Sequence, residues 1–294
     1  MFDIKAIKYA KTIEEAKSYL LSEENPMIFA GGSDILIALR GGKLLDKTFI
    51  SIDQLSELKN IEIINGDIYI GALCTMTDIM SNSFINKNIP FLFETLNDFG
   101  GAQVRNVATV GGNICNGVPS ADSAMPLFCL NAKVIIDGQN GIRQVNIEDF
   151  YQGFKELDLE KHEIVTKLLI KKEDYVGFTG SSIKYGMREA MDIAIVGCST
   201  FIKMDNGLIS DVRITFAVAA PTPKRCKVTE SKVIGLPVND ETMAIINKGV
   251  IEETTPRKTW DASIEFRQHI MRVISRRTFN EALLKQGVEN NDNN

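Results

Sequence analysis

The sequence predicts a two-domain protein in which short strands alternate with short helices. Its 294 residues are enough for about two domains. Short apolar runs bounded by glycine, proline or asparagine indicate strands, and apolar residues spaced three and four positions apart indicate helices. Between Lys171 and Gly180 the chain becomes rich in charge and glycine and poor in apolar residues. We therefore predict a domain boundary there.

The first half opens on a helix. Thr12 followed by Glu15 fits a capping box, which marks a helix start. Asn65-Gly66 between two apolar runs predicts a hairpin turn. The other elements predicted in this half are strands over 27–30, 48–52, 61–64, 68–71 and 132–137, helices over 35–39, 77–80, 91–99 and 122–130, and two further elements over 147–151 and 163–170.

The second half is predicted to contain strands and then two helices. The strands or strand–turn units are expected over 182–185, 193–203, 207–220 and 226–232. In the last helix, an apolar stripe of Phe266, Ile270, Val273 and Ile274 is expected to face the core. Its arginines, which lie off the stripe, form either a solvated face or the rim of a protein–protein interface; they are Arg267, Arg272, Arg276 and Arg277. The polar residues 288–294 are expected to be a disordered tail.

Composition excludes several classes of protein. Hydrophobic residues make up 44% of the chain and charged residues 24%, which is ordinary for a globular protein. The net charge of −5 argues against broad binding to nucleic acid or anionic membranes. No apolar run is long enough to span a bilayer, and the first residues lack a secretion-signal pattern. We expect a cytoplasmic protein.

The cysteines and histidines argue against a metal centre in this chain. None of the five cysteines forms a C-x-x-C pair, so a disulfide framework, a zinc site or an iron–sulfur cluster is not expected. The chain has two histidines, His162 and His269, which is poor material for a histidine-based hydrolase or metal enzyme.

Two glycine pairs follow apolar runs and are the strongest candidates for a binding site. Gly31-Gly32 precedes Ser33, and Gly111-Gly112 comes two residues after Thr109 and follows a strand-like run over 104–108. Glycine permits a positive φ and close approach of a ligand to the backbone, and free N–H groups beside small hydroxyl residues suit phosphate. Neither pair fits the Rossmann or P-loop pattern. Two such loops together would suit the diphosphate of a dinucleotide.

Each of these signals also has a purely structural interpretation. Most glycine pairs are tight turns. Asp122 would accept a hydrogen bond from ribose hydroxyls, but on local evidence a plain helix N-cap is favoured. Lys184, inside an apolar strand, is either a surface lysine or a charge aimed at a bound anion. Arg188 and Asp192 fit a local surface ion pair of small value.

Taken together, these motifs resemble one family. The run over 101–113 and its continuation through Pro119, Ala121-Asp122 and Pro126-Leu127 resemble the FAD-binding (medium) subunit of molybdenum hydroxylases, of the xanthine dehydrogenase and carbon monoxide dehydrogenase type. The resemblance covers nearly the whole chain in the family's order. It also includes the segment over 30–35, Lys184 with the segment over 192–194, and the C-terminal residues Ala262-Ser263, Glu265-Phe266-Arg267 and Arg276-Arg277.

The resemblance implies an α+β fold. A two-part FAD-binding domain of the PCMH type would cover residues 1–175, with subdomains of about 1–57 and 58–175. A C-terminal α/β domain of the CO dehydrogenase flavoprotein type would cover 176–287. FAD would lie extended between them, with Asp122 at the adenosine end, Lys184 near the flavin and Phe99 against the isoalloxazine ring. The cofactor-binding residues implied are Phe29, Ala30, Gly31, Gly32, Ser33, Asp34, Ile35, Leu36, Phe99, Thr109, Val110, Gly111, Gly112, Asn113, Asp122, Val165, Thr166 and Lys184.

The function implied is electron transfer within a heteromeric enzyme. Partner subunits would carry two [2Fe–2S] clusters and the molybdopterin centre, where xanthine, another purine or a different substrate is hydroxylated. Electrons would pass through non-covalent FAD to NAD or another acceptor. One alternative is a stand-alone PCMH-type flavin oxidase, but no histidine precedes His162 to tether FAD. Another is a scaffold that has lost its cofactor, against which the two intact glycine loops argue.

Overall fold

The computed structural model describes residues 4–287. Its first unit is a three-stranded parallel sheet in the order β1-β3-β2, with β3 in the centre and buried along its length. The Thr12 side chain accepts a hydrogen bond from Glu15 N, which confirms the first predicted helix start. The elements are β1 (Ala6–Tyr9), α1 (Ile13–Ser22), β2 (Pro26–Phe29), α2 (Ile35–Arg40) and β3 (Thr48–Ser51).

The second unit is a five-stranded antiparallel sheet in the order β4-β5-β10-β6-β7. Asn65 and Gly66 both have positive φ, as the predicted hairpin turn requires. The strands are β4 (Ile61–Ile64), β5 (Asp67–Gly71), β6 (Lys133–Gly138), β7 (Gly141–Asn146) and β10 (Ile164–Ile170), with a small hairpin of β8 (Tyr151–Gly153) and β9 (Glu156–Leu157). The helices are α3 (Met76–Ser81), α4 (Ser83–Asn88), α5 (Pro90–Asn97), α6 (Ala102–Arg105), α7 (Val110–Cys115), α8 (Ala124–Cys129) and α9 (Ile147–Phe150).

The C-terminal unit is a four-stranded antiparallel sheet in the order β11-β12-β13-β14. Side chains on a strand alternate between faces. On β12, Thr200 therefore bonds Thr278 of α12, whereas Phe201 stacks between Phe91 of the preceding unit and Phe178, the residue just before β11. The elements are β11 (Thr179–Tyr185), β12 (Val196–Asp205), β13 (Leu208–Ala217), β14 (Lys224–Arg225), α10 (Lys227–Val233), α11 (Asp240–Glu252) and α12 (Ile264–Lys285).

Two segments differ from the predicted strands. The run over 104–108 contains the end of α6 and a turn in which Val104 O accepts from both Val107 N and Ala108 N. The segment over 226–232 forms helix α10 and its N-cap, Cys226, instead of a strand. Its buried residues Cys226, Thr229 and Glu230 are spaced three and four positions apart, which is the spacing of one helix face. Glu230 accepts from Ile214 N of β13, which fixes α10 against the sheet.

The last helix, α12, is rotated about its axis relative to the prediction, so that different residues face the core. Arg267, expected off the core stripe, is 1% exposed, whereas Phe266, expected in the core, is 39% exposed. Arg267 is buried because its guanidinium donates to Ile195 O, Thr259 Oγ1 and Asp261 Oδ1. The predicted tail over 288–294 lies outside the described residues. The predicted domain boundary falls in the segment between β10 and β11.

Within residues 4–287, no helix is both long and apolar enough to cross a lipid bilayer. In the same part of the chain, no three His, Cys, Asp or Glu side chains are grouped so that they could hold a metal ion.

Candidate functional site

The structure brings the two glycine segments into contact. A Cβ atom on Gly31 would overlap the carbonyl oxygen of Val107, which lies just before Thr109 and the second pair. Only glycine allows the first loop to pack this closely on the second segment. Two segments far apart in sequence therefore form one surface, as the sequence predicts.

The first loop presents a row of free backbone donors. The N–H groups of residues 31–35 donate to no acceptor among the described residues, and the next amide, Leu36 N, bonds Gly32 O at 3.0 Å. Gly32 has a φ of 71°, a left-handed conformation that side chains disfavour. Successive free amides around such a residue form a concave cradle for an anion. Helix α2 has six residues, so the loop amides supply most of the donors.

The second loop is different, because its amides are already bonded. Val110 N donates to Cys74 O, Gly111 N to Ala72 O and Gly112 N to Thr109 Oγ1. Neither glycine has a positive φ, so the expectation of free donors and a left-handed turn is wrong for this pair. Gly111 is required because a Cβ there would lie 2.7 Å from Ala72 O.

What the second loop offers is an open surface and two side chains. Gly112 is exposed, and Thr109 Oγ1, at 2.8 Å, is the one atom that a Cβ at this position would meet within 4 Å. The Thr109 hydroxyl accepts from Gly112 N, and its own proton can still be donated. Asn113 Oδ1 accepts from Ser123 N and Oγ, which leaves the Asn113 amide nitrogen as a donor.

A buried ion pair lies between the domains. Lys184 Nζ, on β11, is 2.6 Å from Asp122 Oδ2 and 3.2 Å from Asp98 O. The Lys184 side chain is 10% exposed and the Asp122 side chain is 14% exposed. Lys184 is therefore not a surface lysine, and its charge faces a carboxylate of the protein itself. Asp122 does not cap α8, which begins at Ala124. Burial raises the pKa of the Asp122 carboxyl, and the Lys184 charge acts in the opposite direction.

The other carboxylate oxygen of this pair has no partner. Asp122 Oδ1 is buried, and no described residue donates to it. A buried carboxylate oxygen without a donor is costly, so it marks a place where a ligand hydroxyl or N–H fits. The resemblance assigns Asp122 to the adenosine end and Lys184 to the flavin end, whereas in the structure their charged groups lie 2.6 Å apart.

Phe99 lies next to this pair and is held by an arginine that the implied set omits. Asp98 O, which accepts from Lys184, immediately precedes Phe99, which is 8% exposed. Arg105 Nη1 donates to the carbonyls of Asn97, Phe99 and Gly100 at 3.0 to 3.1 Å. The signal for Arg105 was its place in the 101–113 motif, although sequence alone does not show its acceptors.

The loop after Lys184 contacts the other domain. Asp192 accepts from the backbone N–H groups of Met187, Arg188 and Ile193 at 2.7 to 3.0 Å, so it closes the loop on itself. The predicted Arg188–Asp192 ion pair is present at 3.4 Å. Met191 has a φ of 56°, and its sulfur lies 3.3 Å from the Cβ position of Gly101 in the other domain.

Phe29, Val165 and Thr166 support the site without offering free polar groups. Val165 is a core residue, and Thr166 Oγ1 donates to Ile135 O while Thr166 O accepts from Ala72 N. The Phe29 ring lies against the Cβ position of Gly32 and meets Phe49 edge to face. The remaining implied residues of the first loop are half-buried or exposed; they are Ala30, Ser33, Asp34, Ile35 and Leu36.

A donor cradle in the first loop, an open glycine in the segment packed against it and an unpartnered buried carboxylate oxygen at the domain boundary are features of a protein that holds a phosphate-containing cofactor. Family models agree with this class. Residues 3–170 match the FAD binding domain in molybdopterin dehydrogenase, and residues 181–282 match the CO dehydrogenase flavoprotein C-terminal domain. The chain belongs to the family of FAD-binding subunits of molybdenum hydroxylases of the xanthine dehydrogenase and CO dehydrogenase type. It is an oxidoreductase subunit, and the resemblance drawn from the motifs is confirmed.

Relatives and solved structures cover nearly the whole chain. The xanthine dehydrogenase FAD-binding subunit of Escherichia coli O157:H7 is 35% identical over 98% of this chain and 99% of its own. The glyceraldehyde dehydrogenase medium chain of Sulfolobus acidocaldarius is 29% identical over 92% and 96%. The carbon monoxide dehydrogenase structure from Hydrogenophaga pseudoflava superposes with a TM-score of 0.92 at 22% identity, covering 97% of this chain and 99% of its chain. The predicted fold class, an FAD-binding domain followed by the flavoprotein C-terminal domain, is confirmed.

Proposed function

We propose that this chain is the FAD-carrying electron-transfer subunit of a molybdenum hydroxylase complex. In this proposal, electrons come from [2Fe–2S] clusters on a partner subunit and leave to NAD or another acceptor. The observation that carries the proposal is the row of five free amides over 31–35, which packs on the second glycine segment, whose Asn113 bonds Ser123 beside the unpartnered Asp122 oxygen. Bound FAD would supply the redox chemistry, and the protein supplies binding, orientation and electrostatics.

Different groups of the chain would bind different parts of the cofactor. The amides over 31–35 would bind phosphate oxygens, and the Thr109 hydroxyl and the Asn113 amide would donate from the facing segment. Gly112 leaves this side of the cleft open to the ligand. These donors carry no formal charge, so they hold an anion without adding a cation to the surface.

Asp122 and Lys184 would serve a different part of the cofactor. Asp122 Oδ1 would accept a hydrogen bond from a hydroxyl or ring N–H, while Lys184 neutralises the carboxylate and ties it to Asp98 O. Because Asp98 precedes Phe99, this bond also fixes the segment that carries the aromatic ring. Arg105 holds the same segment from the other side.

The relatives support a particular identity for the complex. A 35% identical protein is named as the FAD-binding subunit of a xanthine dehydrogenase, which supports hydroxylation of xanthine or another purine by a molybdopterin subunit. Iron–sulfur and molybdopterin groups would lie on the other subunits, because the described residues contain no cluster of metal ligands. We place the complex in the cytoplasm.

The test combines cofactor content with reconstitution. The purified chain is expected to show a flavin absorption spectrum, and acid precipitation should release all of it as FAD. The chain alone should not oxidise xanthine, whereas the complex with the iron–sulfur and molybdopterin subunits should reduce NAD with xanthine. Flavin that stays in the acid pellet would instead support a stand-alone oxidase, and a chain that takes up no FAD would overturn the proposal.

A further inference from the structure

The serine at the start of α8 does not use its side chain to cap the helix. Ser123 occupies the N-cap position, where a serine hydroxyl usually accepts a hydrogen bond from a backbone N–H of the first turn. Thr12, Thr109 and Ser263 do this for α1, α7 and α12 from an extended backbone. Ser123 instead has a helical backbone, with a φ of −74° and a ψ of −19°, and its side chain makes no capping bond. Its hydroxyl therefore serves another partner.

That partner is the side chain of Asn113 in the second glycine segment. Ser123 Oγ lies 2.6 Å from Asn113 Oδ1, and Ser123 N donates to the same oxygen at 3.3 Å. A backbone N–H can only donate, so the amide atom that it faces must be the oxygen and not the nitrogen. Ser123 thus determines which way round the Asn113 amide is held.

The orientation of this amide decides what it can bind. Asn113 Nδ2 donates to no acceptor among the described residues, and Asn113 directly follows the exposed Gly112. With its oxygen held by Ser123, the amide presents two N–H donors on its other side, and these suit the oxygens of a phosphate. The opposite flip would present a carbonyl oxygen, which has no proton to donate to an anion.

The backbones of both residues are fixed, so the contact sets only the position of the amide. Asn113 N donates to Thr109 O at 2.9 Å inside α7, and Ser123 O accepts from Leu127 N at 3.3 Å in the first turn of α8. Asp122, the residue before Ser123, is held by its ion pair with the C-terminal sheet. What remains free to rotate is the Asn113 side chain, and Ser123 limits that rotation.

We propose that Ser123 is a positioning residue for cofactor binding, which holds Asn113 Oδ1 so that the amide nitrogen is presented to a phosphate of the cofactor. The proposal rests on the proposed function, because it requires a phosphate at this segment. Ser123 is 1% exposed, so it acts through Asn113 and not by contact with the ligand. Without the hydroxyl, only the 3.3 Å bond from Ser123 N remains, and this distance is long for an N–H···O bond.

The first experiment measures the FAD affinity of the full chain by fluorescence titration. Ser123→Ala should bind FAD about 10-fold more weakly, because the Asn113 amide is no longer fixed as a donor. Its melting temperature should stay close to that of the wild type, since no helix cap is lost. Ser123→Thr keeps the hydroxyl and should restore the affinity. The control is Ser275→Ala, an equally buried serine of α12 whose hydroxyl donates to Arg272 O at 3.2 Å, and it should bind FAD like the wild type.

A double-mutant cycle tests whether Ser123 acts through Asn113. Asn113→Ala alone should weaken FAD binding, and adding Ser123→Ala should weaken it no further, because the group that Ser123 orients is already absent. A purely structural role would give additive losses. Additive losses, wild-type affinity in Ser123→Ala, or a folded Ser123→Thr protein as weak as Ser123→Ala would each overturn the proposal while leaving the proposed function intact. A wild-type chain that binds no FAD would overturn both.

Discussion

Among single residues, the cleft depends most on one buried ion pair. Taking a carboxylate out of water is costly, and the Lys184 ammonium 2.6 Å away offsets that cost for Asp122. The second carboxylate oxygen then remains buried and unpartnered. The pair therefore joins two domains, and in our proposal its free oxygen binds the cofactor.

Lys184→Met should lower both stability and FAD affinity. The methionine keeps the apolar stem but leaves Asp122 buried without a counter-charge, so the pKa of Asp122 rises further and unfolding becomes easier by about 3 kcal/mol. The control is Lys184→Met/Asp122→Asn, which removes the unpaired charge and should regain most of the stability but not the affinity for FAD. Thermal melts and FAD titrations give the two quantities. If the single variant melts and binds like the wild type, the pair is not structural.

A second prediction concerns pH. The pKa of Glu163 is lowered because Arg143 donates two hydrogen bonds to it, at 2.6 and 2.7 Å. A group whose pKa is lower in the folded state stabilises the fold above its ordinary pKa of 4.5, and that contribution is lost as the pH falls through the folded value. Arg143→Met should therefore melt below the wild type at pH 7, and the gap should close below about pH 4.5.

The control for this pH effect is Lys248→Met, which breaks an exposed pair with Glu252 at 3.7 Å. Such pairs contribute little, so this variant should show almost no gap at any pH. A gap for Arg143→Met that stays constant down to pH 3 would show that its packing, rather than its charge, stabilises the protein.

At the level of elements, the glycine segments around Gly31-Gly32 and Gly111-Gly112 have different roles. The first supplies backbone donors, and the second, whose amides are bonded, supplies an open surface and side-chain donors. Gly31 and Gly111 are needed for packing against neighbouring backbone, Gly32 for its positive φ and Gly112 for the space above it. One residue type thus meets three physical demands in a single cleft.

Gly112→Val should abolish FAD binding and leave the fold largely intact. The new side chain would stand in the open cleft, and its Cβ would displace Thr109 Oγ1 from the start of α7, at a cost of about 1 kcal/mol. The matched control is Gly41→Val, because Gly41 also has a negative φ and a Cβ there would make only ordinary contacts. Visible absorption after gel filtration with FAD reports binding. A flavin-saturated Gly112→Val protein would remove this loop from the site.

Local patterns predicted most of the elements but not their tertiary partners. The cap at Thr12 and the turn at Asn65-Gly66 depend on neighbouring residues, so sequence was sufficient for both. The burial of Arg267 was missed, because its acceptors lie on two other segments and make an arginine stable in a core position. An amphipathic pattern alone assigns an arginine to solvent.

For the candidate site, too, sequence predicted the local features but not the contacts between distant residues. The convergence of the two glycine segments was predictable, since each carries a local signature. The Lys184–Asp122 pair joins residues 62 positions apart in different domains, and no periodicity reports such a pairing. Free and bonded amides are likewise indistinguishable in sequence, which is why the second loop was wrongly expected to present free donors.

Over the whole molecule, helix α8 connects the cleft to the domain interface. Asp122 lies just before its first turn and binds Lys184 of the C-terminal sheet. At its other end, Arg213 Nη1 donates to Cys129 O at 2.8 Å, and Arg225 Nη1 donates to Phe128 O at 3.1 Å. The C-terminal domain thus holds both ends of one helix that belongs to the FAD-binding domain.

Arg213→Met should therefore weaken FAD binding from a distance. Arg213 is 5% exposed, also bonds Asp174 O at 3.0 Å and lies over the Phe178 ring at 4.5 Å, so its loss frees one end of α8 and leaves Asp174 without its cation. We expect unfolding to become easier by about 3 kcal/mol and FAD affinity to fall several-fold, because Asp122 is no longer held in register with Lys184. Calorimetry should resolve two transitions where the wild type shows one, since the domains would melt separately.

The control is Lys227→Met, an exposed cation that pairs with Glu148 at 3.0 Å near the same interface but donates to neither end of α8. It should keep wild-type FAD affinity and a single transition, because exposed pairs add little to stability. If Arg213→Met lowers the melting temperature yet binds FAD as tightly as this control, the position of Asp122 does not depend on the far end of the helix. The coupling between the domain interface and the cleft would then lie in the Lys184 pair alone.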